Sequence, residues 1–191
     1  MILILFLLLS LIKGLAYYRR SYLLGGWGAW GYALTLGLAF TLARLLSPSL
    51  LGPLELFLPL PGHDLDTTYA FYPRELIPNL DTAFFRLAAF CFVFVFTLFL
   101  LRRLIRPLLV HATSQKRAQP TKCQLSLVGI YALLDSYFLI FFSLQLLTFI
   151  GLPQVQSFLG DDFLASRLLF QSPLLSQWIF AFIFDGLALN L

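Results

Sequence analysis

Four long apolar stretches, Met1–Tyr18, Leu23–Ala43, Leu87–Leu101 and Leu125–Ile150, leave this chain few ways to fold. The hydrocarbon core of a bilayer is about 30 Å thick, and a helix of about 20 apolar residues crosses it. Inside that core every backbone N–H and C=O has to be bonded within the protein, which selects helices for isolated apolar runs. Only 12% of the residues are charged and 60% are apolar, with 21 phenylalanines and runs such as FCFVFVFTLFLL. Soluble domains carry about 25% charged residues, so lipid is the expected solvent. The pattern predicts an all-α membrane protein with four transmembrane helices, a four-span domain over 1–150 and a helical tail over 151–191.

Charge between the stretches alternates with each crossing. Lys13, Arg19 and Arg20 mark the first turn, and Arg102, Arg103, Arg106, Lys116, Arg117 and Lys122 mark the basic loop 102–124, with no acid in either. The loop 47–82 instead carries Glu55, Asp64, Asp66, Glu75 and Asp81, and the tail carries Asp161, Asp162 and Asp185. Lys and Arg excess marks cytoplasmic loops, so both termini are expected outside a cell membrane, N-out and C-out. Each base beside an anionic leaflet adds about 1 kcal/mol of attraction. The net charge of +4 therefore points to the lipid bilayer as partner and not to nucleic acid. Arg19, Arg20, Arg102, Arg103 and Arg106 are the expected topology and lipid-contact residues. Met1 leads straight into ILILFLLLSLI, and bases follow it. A signal peptide has its charge first, so a retained first helix is expected, with Lys13 snorkelling toward headgroups. Tyr17, Tyr18, Tyr22, Trp27 and Trp30 form an expected interfacial belt near the basic turn.

The second stretch carries Gly25, Ala29, Ala33, Gly37 and Thr41 at four-residue spacing. Small residues so spaced let two helix backbones approach closely in lipid. The face fits either a homo-oligomer seam or packing against another span of the same chain. The outer loop holds Pro48, Pro53, Pro59, Pro61, Pro73 and Pro78, which exclude one continuous helix. Short helical turns with Leu54, Leu56 and Phe57 against lipid or protein are expected there. His63-Asp64-Leu65-Asp66 lacks a second ligand set for a metal, and no cofactor is expected. Cys91 and Cys123 fall in different environments, so no disulfide joins them.

Asp135 is the one carboxylate within an apolar stretch. Ten residues from Leu125, it lies about 15 Å deep at the α-helical rise. An ionisable group at that depth is a functional candidate by default. Ser126, Gly129, Ala132, Ser136 and Ser143 make a small, weakly polar face beside it. Two readings stand: a protonated Asp bonded to a neighbour's hydroxyl or carbonyl, which predicts that Asn is tolerated, or a titrating carboxylate in transport. Gly151-Leu152-Pro153 should end the fourth helix. Ser172-Pro173 has the pattern of an N-cap with proline at the first helical position. The run after it, Leu174–Leu189, is expected as a C-terminal interfacial or re-entrant helix, with a fifth crossing as the competing view.

The order of these features resembles the colicin V production protein family of bacterial membrane proteins. Lys13-Gly14 and Arg19-Arg20 stand at that family's first cytoplasmic turn, LAFTLARLLSPSL at the end of its second span, and LRRLIRPL at the basic tail of its third. Gly129 matches the glycine-rich opening of the fourth, and Ser166 through QSPLLSQWI matches the serine-containing tail. Two positions depart: Arg20-Ser21 replaces the usual Arg-Gly pair, and Leu133 stands where a second glycine is expected. The resemblance implies an inner-membrane protein of bacteriocin or toxin production or export and of envelope homeostasis, acting through membrane protein partners and without enzymatic activity. A small carrier or channel component using Asp135 is the alternative. No P-loop, Rossmann fingerprint or zinc spacing occurs in the sequence.

Overall fold

The computed structural model describes residues 2–24, 27–58, 69, 71–72, 79–113, 122–170 and 175–184, and the regular structure among them is entirely helical. Helix α1 covers Ile2–Leu24. Helix α2, Trp27–Leu46, passes through a 3-10 turn, Ser47–Leu50, into a short α3, Leu51–Phe57. Helix α4 covers Leu80–Thr113 and α5 Lys122–Thr148, followed by α6, Pro153–Asp161, α7, Phe163–Phe170, and α8, Leu175–Ile183. Four segments are long and apolar enough to cross a membrane: Ile2–Arg19, Ala33–Phe57, Leu80–Leu104 and Leu125–Thr148.

Two helices overrun their apolar stretches. α1 continues past Lys13 and Arg19 to Leu24, so these bases sit on helix and not in a turn. α4 has 34 residues and runs through Pro107, about 51 Å at the α-helical rise. The proline removes one backbone hydrogen bond without ending the helix. Within the expected C-terminal run Leu174–Leu189, the described helix α8 has nine residues, about 13.5 Å, and residues 185–189 lie outside the described residues. Leu56 and Phe57 of α3 are 84% and 85% exposed, as surfaces facing lipid or another protein are. His63, Asp64, Asp66, Ser172 and Pro173 lie outside the described residues.

The chain forms two compact units, one of Met1–Ile2, Ser47–Phe90 and Phe141–Leu191, the other of Leu3–Leu46 and Cys91–Ile140. Aromatic rings hold the first. Phe90 lies 5.4 Å from Phe142 and 5.6 Å from both Trp178 and Phe182. Tyr72 packs on Phe149, Phe180 and Phe184, and its hydroxyl shares a 2.9 Å hydrogen bond with Thr148. Burial pushes the Tyr72 phenol well above its ordinary range. Where α5 ends, the Gln156 amide donates to the carbonyls of Thr148 and Ile150 at 3.0 and 2.8 Å, bonding acceptors that a helix end leaves open. Asp162 caps α7 by accepting from the amides of Leu164 and Ala165. Partial burial pulls its carboxyl up, yet the amides of Ala165, Leu164 and Ile2 outweigh that and hold it below its usual value.

In the second unit, Phe138 lies 6.4 Å from Phe40 and 6.3 Å from Phe94. Tyr17, Val128 and Ala132 form a buried cluster with Leu127 and Tyr131 against it. The buried side of α2 is a different stripe of small residues from the expected one. Gly31, Thr35, Ala39 and Ala43 are buried, whereas Gly37 is exposed and a Cβ built there meets nothing within 4 Å. The two stripes are two residues apart, about 200° around the helix. Thr41 is exposed and turns its hydroxyl back onto the carbonyls of Gly37 and Leu38. Ala33 is half-buried, Gly25 lies outside the described residues, and the side chain of Ala29 is not described. Of the two readings of this face, packing against another span of the same chain is not found at Gly37, and the open surface there leaves the homo-oligomer seam as the other. Gly129 is likewise open, with nothing within 4 Å of a built Cβ. Gly14 faces Ala132 of α5, where a built Cβ would lie 3.9 Å from the alanine Cβ, an ordinary contact distance.

Candidate functional site

Lys13 and Tyr17 are one helical turn apart and so share a face of α1. That face meets α5 through the Gly14–Ala132 approach and the Tyr17–Val128–Ala132 cluster. The contact sets Asp135, one turn beyond Ala132, beside both side chains. Arg102 reaches the same carboxylate from α4. All four residues belong to the second unit.

The carboxylate is enclosed by donors. The Tyr17 hydroxyl donates to Oδ2 at 2.7 Å, and the Lys13 ammonium stands 3.0 Å from the same oxygen. Arg102 Nη2 donates to Oδ1 at 3.1 Å. Lys13 Nζ also donates to the backbone carbonyl of Asp135 at 3.1 Å. The guanidinium lies over the Tyr17 ring, 5.6 Å from its centre, which adds a cation–π contact. Asp135 is buried, with 8% of its side chain exposed, while Lys13 and Arg102 keep 21% and 24%. An isolated buried carboxylate is costly, and this one is paired and hydrogen-bonded as burial demands.

Several expectations change. Of the two readings of Asp135, the hydrogen-bonded one named a hydroxyl or carbonyl as partner; the structure supplies a hydroxyl, from Tyr17, and adds two cations that neither reading named. Ser136 is buried, but its hydroxyl donates to the Ala132 carbonyl of its own helix at 2.8 Å. Lys13 turns to Asp135, since a buried carboxylate within reach offers both charge and acceptors. Arg102, expected at lipid phosphates, finds the same partner, and Tyr17, expected in an interfacial belt, is 4% exposed and packed in the buried cluster. Arg19 and Arg103 are exposed, and the side chains of Arg20 and Arg106 are not described. Ser126 and Ser143 are exposed as well, so the small polar face of α5 is split.

Two signals in the residues point to the missing partners. Lys13 and Arg102 are bases bordering apolar stretches, and Asp135 is the acid that lacks a counter-charge in its own stretch. The cluster contains one carboxylate and no thiol or imidazole. Among the described residues no group of three His, Cys, Asp or Glu comes together. Comparison with protein-family models, curated proteins and solved structures gives no match.

Proposed function

We propose that this chain is a non-enzymatic multi-pass membrane protein whose Asp135 cluster clamps α1, α4 and α5 into one bundle, and that the bundle acts by docking other membrane proteins. The observation that supports this reading is the enclosure of Asp135 by three side-chain donors from two other helices. A carboxylate so enclosed fastens helices. General acid–base or nucleophilic work needs a base and a reacting group in mutual reach, and the cluster pairs its one carboxylate with cations instead. The order of sequence features supports a setting in the cell membrane, in bacteriocin production or export and envelope homeostasis. Crosslinking in native membranes, followed by identification of the captured proteins, tests the reading. Recovery of the same membrane proteins with the wild type, and their loss when Asp135 is replaced at equal protein level, is the expected result. Unchanged capture would sink the role given to the clamp.

A carrier or channel component is the second reading, and the partial exposure of Lys13 and Arg102 favours it. A carrier needs Asp135 to exchange partners during each cycle. Proton flux into proteoliposomes that disappears in Asp135→Asn would select this reading over the clamp.

A further inference from the structure

Trp178 and Phe182 are one turn apart on α8, and both rings lie 5.6 Å from Phe90 of α4. Phe180 and, just past the helix, Phe184 lie 6.2 and 5.8 Å from Tyr72, about 200° around from the first pair. Successive turns of α8 thus touch one ring on each side, so the helix axis lies across the line from Phe90 to Tyr72. That line follows α4 and α5. Phe84 meets Phe149 at 5.9 Å and Phe90 meets Phe142 at 5.4 Å, an antiparallel register in which Phe90 is about 9 Å further along α4. Tyr72 packs at the near end, on Phe149. Phe90 stands about 15 Å along α4 from Leu80, and Phe142 about 9 Å along α5 from Thr148. Both are well inside segments long and apolar enough to cross a membrane. We propose that α8 is re-entrant: a strap that lies across α4 and α5 within one half of the bilayer, latched at its end by Arg86.

The chemistry of α8 agrees with that placement. Its sequence, LSQWIFAFI, has no charged residue, whereas a helix at the water interface carries a strongly polar face. A fifth crossing would run beside α4 and α5 and not across them. A helix that ends inside hydrocarbon has carbonyls that water does not reach, and protein has to bond them. Arg86 Nη1 donates to the Ile183 carbonyl at 3.3 Å. Arg86 is itself a base within the Leu80–Leu104 segment, and bases at such depth pair with acids or backbone carbonyls. Ile179 and Ile183 are buried on one side of the strap, and Gln177 and Ala181 are exposed on the other. All of these residues belong to the first unit, so the inference is independent of the Asp135 clamp.

The test places a spin label at Gln177→Cys or Ala181→Cys, in full-length protein lacking Cys91 and Cys123 and reconstituted into phospholipid vesicles. Collisions with oxygen, which concentrates in hydrocarbon, are compared with collisions with a water-soluble nickel chelate. A label at Asp161→Cys, exposed on α6, gives the water-side reference. Both α8 labels should favour oxygen over nickel and report about the same depth. Nickel collisions as frequent as at 161 would make α8 a surface helix and overturn the proposal. Depths differing by about 6 Å, the rise of four helical residues, would make it part of a crossing and overturn it equally. Arg86→Met should raise nickel collisions at both labels toward the level at 161, and Arg86→Lys, which keeps a donor, should do so less. Unchanged collisions in folded Arg86→Met would remove Arg86 as the latch. The depths in protein with Arg86 intact decide the placement by themselves, so a variant that fails to fold leaves the proposal open to the same two contradictions.

Discussion

Asp135 carries the site because its charge is met from two directions. Replacing it with Asn keeps the shape but leaves Lys13 and Arg102 facing each other across a neutral amide. Breaking a buried pair costs about 3–5 kcal/mol, and the low end applies here because the cations keep 21% and 24% exposure. Asp135→Asn should therefore lower the folded fraction in a denaturant titration of the purified protein. The residues alone suggest the opposite, because a neutral acid needs only a hydrogen bond that Asn supplies. The carboxylate was legible as a buried ionisable group from its place in an apolar run. Its partners were not, since they are 122 and 33 residues away in sequence. A long flexible side chain at a span edge can turn to water or to protein, and which it does depends on helix neighbours such as the Tyr17–Val128–Ala132 packing of α1 on α5.

Helix α2 shows how an element can offer two small-residue faces and bury one. Ala39 and Ala43 are fully buried, and Ala39→Leu should destabilise by about 1–3 kcal/mol through overpacking. Gly37→Leu should leave the stability of the single chain unchanged, because a side chain there enters open space. Thermal unfolding of both variants checks the difference, and equal losses would contradict the assignment of faces. Four-residue spacing revealed a small face in the sequence, but a second run of small residues half a turn away meets the same criterion. Which of them packs is settled by the neighbouring helix. At the start of α7, Asp162→Ala removes the acceptor for Leu164 and Ala165, a loss of about 1 kcal/mol for an N-cap. Its folded-state carboxyl is held low, so the contribution is present above the unfolded pKa and lost as pH falls through the folded one. The gap between wild type and Asp162→Ala should therefore close on acidification, and a gap that widens would show that the carboxylate is not the stabilising form.

Over the whole molecule, charge divides with the two units. The unit that contains Asp135 has every base of the 13 except Arg74, Arg86 and Arg167, and the other unit has every remaining acid. The four apolar helices and this asymmetry were legible in composition and loop charge, because lipid and headgroups act on stretches and not on single contacts. Orientation follows as an expectation, with the basic side inside. Single cysteines at positions 19 and 116, in a background lacking Cys91 and Cys123, should resist an impermeant maleimide in intact cells, while one at position 161 should react. Labelling at 116 from outside would reverse the topology. The clamp itself is tested most directly by a double-mutant cycle on Lys13→Met and Asp135→Asn, measured by reversible unfolding of the full-length protein in lipid–detergent micelles. Residues in one ion-pair network show coupling of about 0.5–3 kcal/mol, and a value of about 1 kcal/mol or more is expected here, with the double variant recovering part of the loss caused by Asp135→Asn. Simple additivity of the two single changes would mean that Lys13 and Asp135 do not hold the helices together.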